Sequence, residues 1–138
     1  LPVMPEADDL KGRRILLVED VELNREIAQT ILEDMGFRVD PVTDGDEAVQ
    51  ALRQTPPGTY DVVLMDIMMP RMNGLEAAHL IRGTPERADL RVLPILAMSA
   101  NAFAEDVKKS LEAGMNAHLS KPIEIEKLRE ALTRVLGG

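Results

Sequence analysis

The chain has 138 residues, 45% of them apolar and 29% charged, with 16 basic against 24 acidic side chains and a net charge of -8. That is enough chain for one domain with a buried core, and too few basic side chains for a surface that tracks a nucleic-acid backbone or grips an acidic partner. The lack of cysteine excludes disulfides, zinc-thiolate sites and thiol nucleophiles, and no apolar run approaches the roughly 18 residues that cross a bilayer.

No basic-then-apolar leader is visible, so the domain is expected to be cytoplasmic and free of membrane contact. Residues 1–11 hold Pro2, Pro5 and the acids Glu6, Asp8 and Asp9 before any periodic pattern begins. They are expected to form a linker or disordered tail ahead of a domain at 12–138. The chain opens on Leu1, not Met, and is expected to be a fragment of a longer protein.

Ile15, Leu16, Leu17 and Val18 form an unbroken apolar run, the mark of a buried strand. Leu23, Ile27, Ile31 and Met35 then recur at every fourth residue with Ala28 and Leu32 beside them, predicting an amphipathic helix that Gly36 stops. A short strand at 39–42 precedes a helix opened by Gly45 and carrying Ala48, Val49 and Leu52; Pro56, Pro57 and Gly58 end that unit. The third unit is a strand at 62–66, a loop of Met68, Met69, Pro70, Arg71, Met72 and Asn73, and a helix from Gly74 to about Arg82 with Leu75, Ala78 and Ile81 inward. A polar stretch with Pro85 leads to a strand at 94–98, and a fourth helix bears Ala104, Val107 and Leu111 before Gly114. Residues 117–120 make a short fifth strand, and the last helix aligns Ile125, Leu128, Leu132 and Val135, with Glu124 and Glu126 near its positive end.

Strands that alternate with helices in this way predict a doubly wound α/β fold, because near-continuous Val/Ile/Leu strands need cover on both faces and right-handed crossovers put helices there. The two common strand orders share one rule: the working crevice lies beyond the carboxyl ends of the strands, where the order reverses. Glu19, Asp20, Asp66, Ser99 and Lys121 all fall at such ends.

Three carboxylates at one sheet edge repel, each pair by about 4 kcal/mol at 4 Å and an effective dielectric near 20. A divalent cation among them resolves the conflict, and oxygen-only ligands beside open water favour Mg²⁺. Asp20, Asp66 and a loop carbonyl, that of Met68, are the expected ligands, with Glu19 acting directly or through water. Asp66 is then a nucleophile for phosphorus, Lys121 a point charge on the phosphoryl oxygens, and Ser99 a hydroxyl that senses whether the group is there.

Taken singly, each residue has a plainer reading. Glu19 and Asp20 suit the start of a helix, Lys121 a solvated surface, and Ser99 a helix N-cap. His118 reads as a partly buried strand residue with a lesser claim as a switch, and His79 as surface. Met65, Met68, Met69 and Met72 suggest thioether ligation of copper, but no Cys or His reinforces them. The stretch 105–109 reads as a solvated helix face.

The blocks Ile15-Leu16-Leu17-Val18-Glu19-Asp20, Met65-Asp66-Ile67-Met68-Met69-Pro70-Arg71-Met72-Asn73-Gly74, Met98-Ser99-Ala100 and Ser120-Lys121-Pro122 together resemble the signature of two-component receiver domains. The resemblance covers residue 14 to about 136 and rests on four motifs in order, which makes it specific. It implies the flavodoxin-like strand order 2-1-3-4-5. It also implies Mg²⁺-dependent phosphoryl transfer from a histidine kinase or histidine phosphotransfer protein to Asp66, with Glu19 and Asp20 as the acid pair. Ser99 and Lys121 then mediate a conformational switch, and a cis bond joins Lys121 to Pro122. Such a domain catalyses its own phosphorylation and slow dephosphorylation rather than turning over a substrate.

Residues 18–25 and 114–123 are similar to receivers fused to hybrid sensor histidine kinases, which implies a phosphorelay role and a histidine kinase as parent. No direct nucleic-acid contact is implied, and a homodimer is left open. His118 stands three before Lys121, where many receivers carry the Tyr or Phe that swings inward on activation. Met68, two after Asp66, is apolar and cannot position an attacking water, which points to a persistent phosphoryl group, although Asn101 flanks the same space.

Three rivals compete. A Mg²⁺-dependent aspartyl-phosphate phosphatase of the haloacid dehalogenase type needs an acid where Met68 stands. A flavin mononucleotide binder needs a Ser/Thr/Gly-rich phosphate loop where Glu19 and Asp20 stand. A receiver-like interaction module without phosphorylation would not need the acceptance residues, yet all of them are present.

Overall fold

Residues 11–69, 71–100 and 104–136 are described by the computed structural model. The five apolar runs become strands β1 (Arg14–Val18), β2 (Arg38–Val42), β3 (Val62–Asp66), β4 (Ile95–Ser99) and β5 (Ala117–Ser120). They pair in parallel in the order β2-β1-β3-β4-β5, which is the flavodoxin-like order expected. β3 and β4 are buried at every position, as strands covered on both faces must be. β2 lies at an edge and tolerates Pro41, whose missing N–H would break a ladder inside the sheet.

Alternation sorts the strand side chains into two cores. Leu16, Val18, Val63, Met65, Ile95 and Ala97 point one way, against Ala48, Val49 and Leu52 of α2 (Gly45–Gln54) and Ala77, Ala78 and Ile81 of α3 (Gly74–Arg82). Ile15, Leu17, Val62, Leu64, Leu96 and Met98 point the other way, against Ala28 and Leu32 of α1 (Glu22–Asp34) and Leu128, Ala131 and Leu132 of α6 (Ile125–Leu136). Period two in the strands and period 3.6 in the helices thus generate both layers.

The expected five helices become six among the described residues. The polar stretch before β4 contains α4 (Ala88–Val92), a single turn that seats Leu90 in the first core, and it lies ahead of α5 (Ala104–Glu112). One turn is too short to carry a periodic signal. The four-residue repeat of α1 also misleads: each step of four advances ~40° beyond a full turn, so Leu23 ends opposite Leu32. Leu23 is 63% exposed and Ile27 50%, while Ala28, Leu32 and Met35 are buried. Leu111 and Ile125, also expected inward, are half-exposed. The expectations placed on Asn101, Pro70, the Ala104 side chain and residues 1–10 fall outside the described residues.

Local chemistry fixes the loops at the carboxyl edge. Asp44 caps α2 by accepting the Glu47 N–H at 2.9 Å, and the Glu47 carboxylate accepts in turn from the N–H and hydroxyl of Thr43, the residue before the cap. Asn73 caps α3 through the Glu76 N–H at 2.9 Å. Gly74 opens α3 hard against the carboxyl end of β3: a Cβ there would lie 2.5 Å from the Asp66 carbonyl oxygen. Glycine is required for that close approach. The bond between Lys121 and Pro122 is cis, as the resemblance implied.

Candidate functional site

β1 and β3 are adjacent and in register, with Val18 opposite Met65, so their carboxyl ends deliver Glu19, Asp20 and Asp66 to one spot. One carboxylate oxygen from each lies within 4.8 Å of the others. Glu19 is 1% and Asp66 3% exposed, while Asp20 is partly exposed. Lys121 arrives from β5, where its backbone N–H donates to the Ser99 carbonyl at 2.8 Å. Its Nζ donates to Glu19 Oε2 and to Asp66 Oδ2, each at 2.7 Å.

The remaining oxygens are unequally served. Asp66 Oδ1 accepts the Met68 N–H at 3.1 Å, and Glu19 Oε1 accepts the Val21 N–H at 3.2 Å. Among the described residues, Asp20 Oδ1 is a buried side-chain oxygen that no hydrogen bond reaches. Burial holds the Glu19 carboxyl above its ordinary range; the Lys121 hydrogen bond opposes this and the Asp66 charge adds to it. For Lys121 burial acts downward, but hydrogen bonds and charge from Asp66 and Glu19 outweigh it and hold the amine above its ordinary value. The arrangement is an acid cluster with one cation in it and one oxygen left over, open to a further positive centre.

The family model for the response regulator receiver domain matches residues 15–133. The chain belongs to that family. This receiver is 36% identical to the signal transduction histidine-protein kinase BarA of Shigella flexneri over 137 residues, 99% of this chain and 14% of that protein. It spans only 15% of a second curated relative, a probable histidine kinase 1 of Oryza sativa. The receiver domain of the Pseudomonas aeruginosa sensor histidine kinase PA1611, solved with a magnesium ion in its active-site cleft, is similar at a TM-score of 0.82 and 37% identity. That match covers 92% of this chain and 99% of that one. The receiver of Saccharomyces cerevisiae Ssk1, solved with the histidine phosphotransfer protein Ypd1, is similar at 0.79 and 25%, covering 93% and 91%. The chain is thus a receiver of the two-component phosphorelay type, of the kind found in hybrid histidine kinases. Among its described residues no helix is long and apolar enough to cross a membrane.

Beside the acids, the receiver buries Ser99 to 4% exposure and sets its Oγ 2.8 Å from His118 Nε2. His118 is partly buried on β5, and His79 is exposed. Met68 is 70% exposed, whereas Met65 and Met69 lie in the first core with Met72 packed against it, so Met68 stands apart from the other three.

Two side-chain contacts that tie the elements together carry no sequence signal. Arg71, in the left-handed region at φ 66°, pairs with the buried Asp44 and ties the β3–α3 loop to the start of α2. At the opposite end of the sheet Arg82 donates to the carbonyls of Gly114, Leu90 and Leu93 and to Asn116 Oδ1, stapling α3 to the segments that lead into β4 and β5. Both are arginines in polar surroundings, and which oxygens they meet is decided by the fold alone.

Proposed function

We propose that Asp66 accepts a phosphoryl group from a phosphohistidine on a histidine kinase or phosphotransfer protein, within a domain spanning 12–138 behind a linker at 1–11. The observation that carries this reading is the pair of 2.7 Å bonds from Lys121 Nζ to Asp66 and Glu19 beside an Asp20 oxygen without a hydrogen bond among the described residues. That unserved oxygen and the all-oxygen donor set fit Mg²⁺, which Asp20, Asp66 and the Met68 carbonyl would hold, with Glu19 bound directly or through water. When bound, the ion neutralises charge on the phosphoryl oxygens.

An Asp66 carboxylate oxygen attacks phosphorus, the new O–P bond forms as the P–N bond breaks, and the imidazole leaves with the electron pair. Lys121 passes from the carboxylate to a phosphoryl oxygen, and the Met68 N–H continues to orient Asp66 Oδ1. Ser99 then donates its hydroxyl to the new group and reports its presence.

The donor docks on the apolar face that α1 leaves outward. Val21, Leu23 and Ile27 are 46%, 63% and 50% exposed. A groove of about 100 Å³ lined by Glu19, Ile27, Lys121, Pro122 and Ile123 connects that face to the acids. The parent protein is a cytoplasmic hybrid histidine kinase on this reading. Incubation of the native receiver with a phosphorylated donor should leave an alkali- and hydroxylamine-labile label on it and none on Asp66→Asn. Label that survives the substitution moves the acceptor elsewhere and ends the proposal.

A further inference from the structure

One chain of polar side chains runs from the site to α5: Ser99 on β4, His118 on β5 and Ser110 on α5. His118 is diagonal to Ser99 on the sheet, since Ser99 pairs with Ser120. Ser99 Oγ lies 2.8 Å from His118 Nε2, and His118 Nδ1 lies 3.3 Å from Ser110 Oγ. Ser110 Oγ in turn donates to the Val107 carbonyl at 2.8 Å and is fully buried.

The lengths of these contacts favour one arrangement of the protons, because Ser110 lies closer to the Val107 carbonyl than to the imidazole. A hydroxyl has one proton to give. Ser110 commits its proton to Val107, so it meets the imidazole as an acceptor, and Nδ1 is the nitrogen that carries hydrogen. The other nitrogen of a neutral imidazole is a lone pair. In that arrangement Ser99 is the donor in its bond with Nε2.

We infer that His118 holds the Ser99 hydroxyl proton in the unphosphorylated receiver, so that Ser99 turns to a phosphoryl group only by giving up this bond. His118 is a positioning residue that sets how readily phosphorylation is converted into a change of shape. The inference rests on the reading that Asp66 takes the phosphoryl group, and adds a regulator of that site. Two further observations support it. The Ser99 carbonyl is pinned by the Lys121 N–H at 2.8 Å, so the hydroxyl redirects by side-chain rotation and not by strand movement. Ser99 is also 4% exposed, which leaves water little room to replace His118. A Phe or Tyr at 118 offers no ring nitrogen to accept that proton.

The test has two arms. Nitrogen-15 NMR of the neutral imidazole in the native receiver should find Nδ1 protonated and Nε2 bare; the opposite tautomer overturns the inference, whatever Asp66 does. Beryllofluoride with Mg²⁺, a stand-in for the phosphoryl group, should bind His118→Phe about two- to tenfold tighter than the parent, the range set by the net worth of one neutral hydrogen bond. In a Ser99→Ala background the same substitution should leave affinity unchanged, since the bond is already gone. An equal gain in both backgrounds, or no gain in either, overturns the inference while leaving the phosphoacceptor reading intact. A parent protein that binds no beryllofluoride at Asp66 overturns both, and the parent titration alone identifies that case.

Discussion

Asp20→Asn should make the receiver more stable without Mg²⁺ and nearly indifferent to Mg²⁺. Asp20 contributes one of three carboxylates with oxygens within 4.8 Å of one another, and so takes part in two of the three repulsive pairs. At that separation a like-charged pair repels by about 3.5 kcal/mol at an effective dielectric of 20 and by about 0.9 kcal/mol in water. Asp20 is partly exposed, so screening draws the value toward the lower limit, about 1 kcal/mol per pair. Lys121 bonds Glu19 and Asp66 and thereby offsets mainly the third pair, the one without Asp20. Removing the charge should therefore relieve about 2 kcal/mol, which for a domain of this size raises Tm by roughly 6–10 °C. The parent, by contrast, gains from a bound cation by mass action, about 2.7 kcal/mol when the ion stands at a hundred times its Kd. Thermal unfolding followed by circular dichroism, in chelator and in millimolar MgCl₂ with NaCl matching ionic strength, separates binding from screening. A variant no more stable than the parent in chelator, or one that keeps the parent's full response to Mg²⁺, would refute the claim that acid crowding maintains this site for a cation.

Lys121→Met leaves Glu19 and Asp66 buried without their ammonium partner and should cost about 3 kcal/mol in urea unfolding without metal, a deficit Mg²⁺ narrows; an unchanged midpoint would mean the acids are already relieved. Because the folded Glu19 carboxyl sits above its ordinary 4.5, the native state binds the extra proton. Its contribution to stability is complete below 4.5 and is lost as pH rises through the folded value, so metal-free stability should decline from 4.5 up through that value and level off beyond it, and Mg²⁺ should flatten the decline. Stability that rises across the same window, in a Glu19→Gln comparison, would reverse the sign. Arg82→Met abandons the carbonyls of Gly114, Leu90 and Leu93 and should cost about 2–3 kcal/mol by urea midpoint, with beryllofluoride affinity unchanged; an equal midpoint would show that water serves those oxygens as well.

How far the sequence reaches can be traced residue by residue. β3, β5 and α3 lie where pattern reading puts them, because an apolar run ending in a charged residue, or a helix between Asn73 and Gly83, is a local signal. Glu19, Asp20, Asp66 and Lys121 were legible as a group for a topological reason: parallel strands put all their carboxyl ends on one edge, so residues 102 positions apart in Glu19 and Lys121 meet at 2.7 Å. Leu23 and Ile27 were misassigned because spacing fixes a helix face only to within tens of degrees, and the sheet decides which part of it is covered. The Ser99–His118–Ser110 chain and the Asp44–Arg71 pair were illegible because a lone polar residue has no period, and its partner is chosen by three-dimensional proximity.

On the proposed reading, one ammonium and one hydroxyl beside Asp66, those of Lys121 and Ser99, divide the labour between backbone and side chain. The Lys121 N–H and the Ser99 carbonyl are bound to each other, which locks the ends of β4 and β5 together, while the Lys121 amine and the Ser99 hydroxyl are held by partners that a phosphoryl group outbids. Phosphorylation of Asp66 exchanges a carboxylate of charge one for a group of charge approaching two with more acceptor oxygens, so the ammonium gains by following the charge outward. The hydroxyl has the same incentive but must first leave His118. Both side chains can turn without moving the sheet, and the vacated imidazole nitrogen then faces an altered environment on the α5 side, where Ser110 already holds its other nitrogen. On that reading a signal that starts with one new bond at Asp66 would reach a helix through side-chain rotations, and α5, whose Leu111 stands half-exposed, would be the element on which a partner reads it.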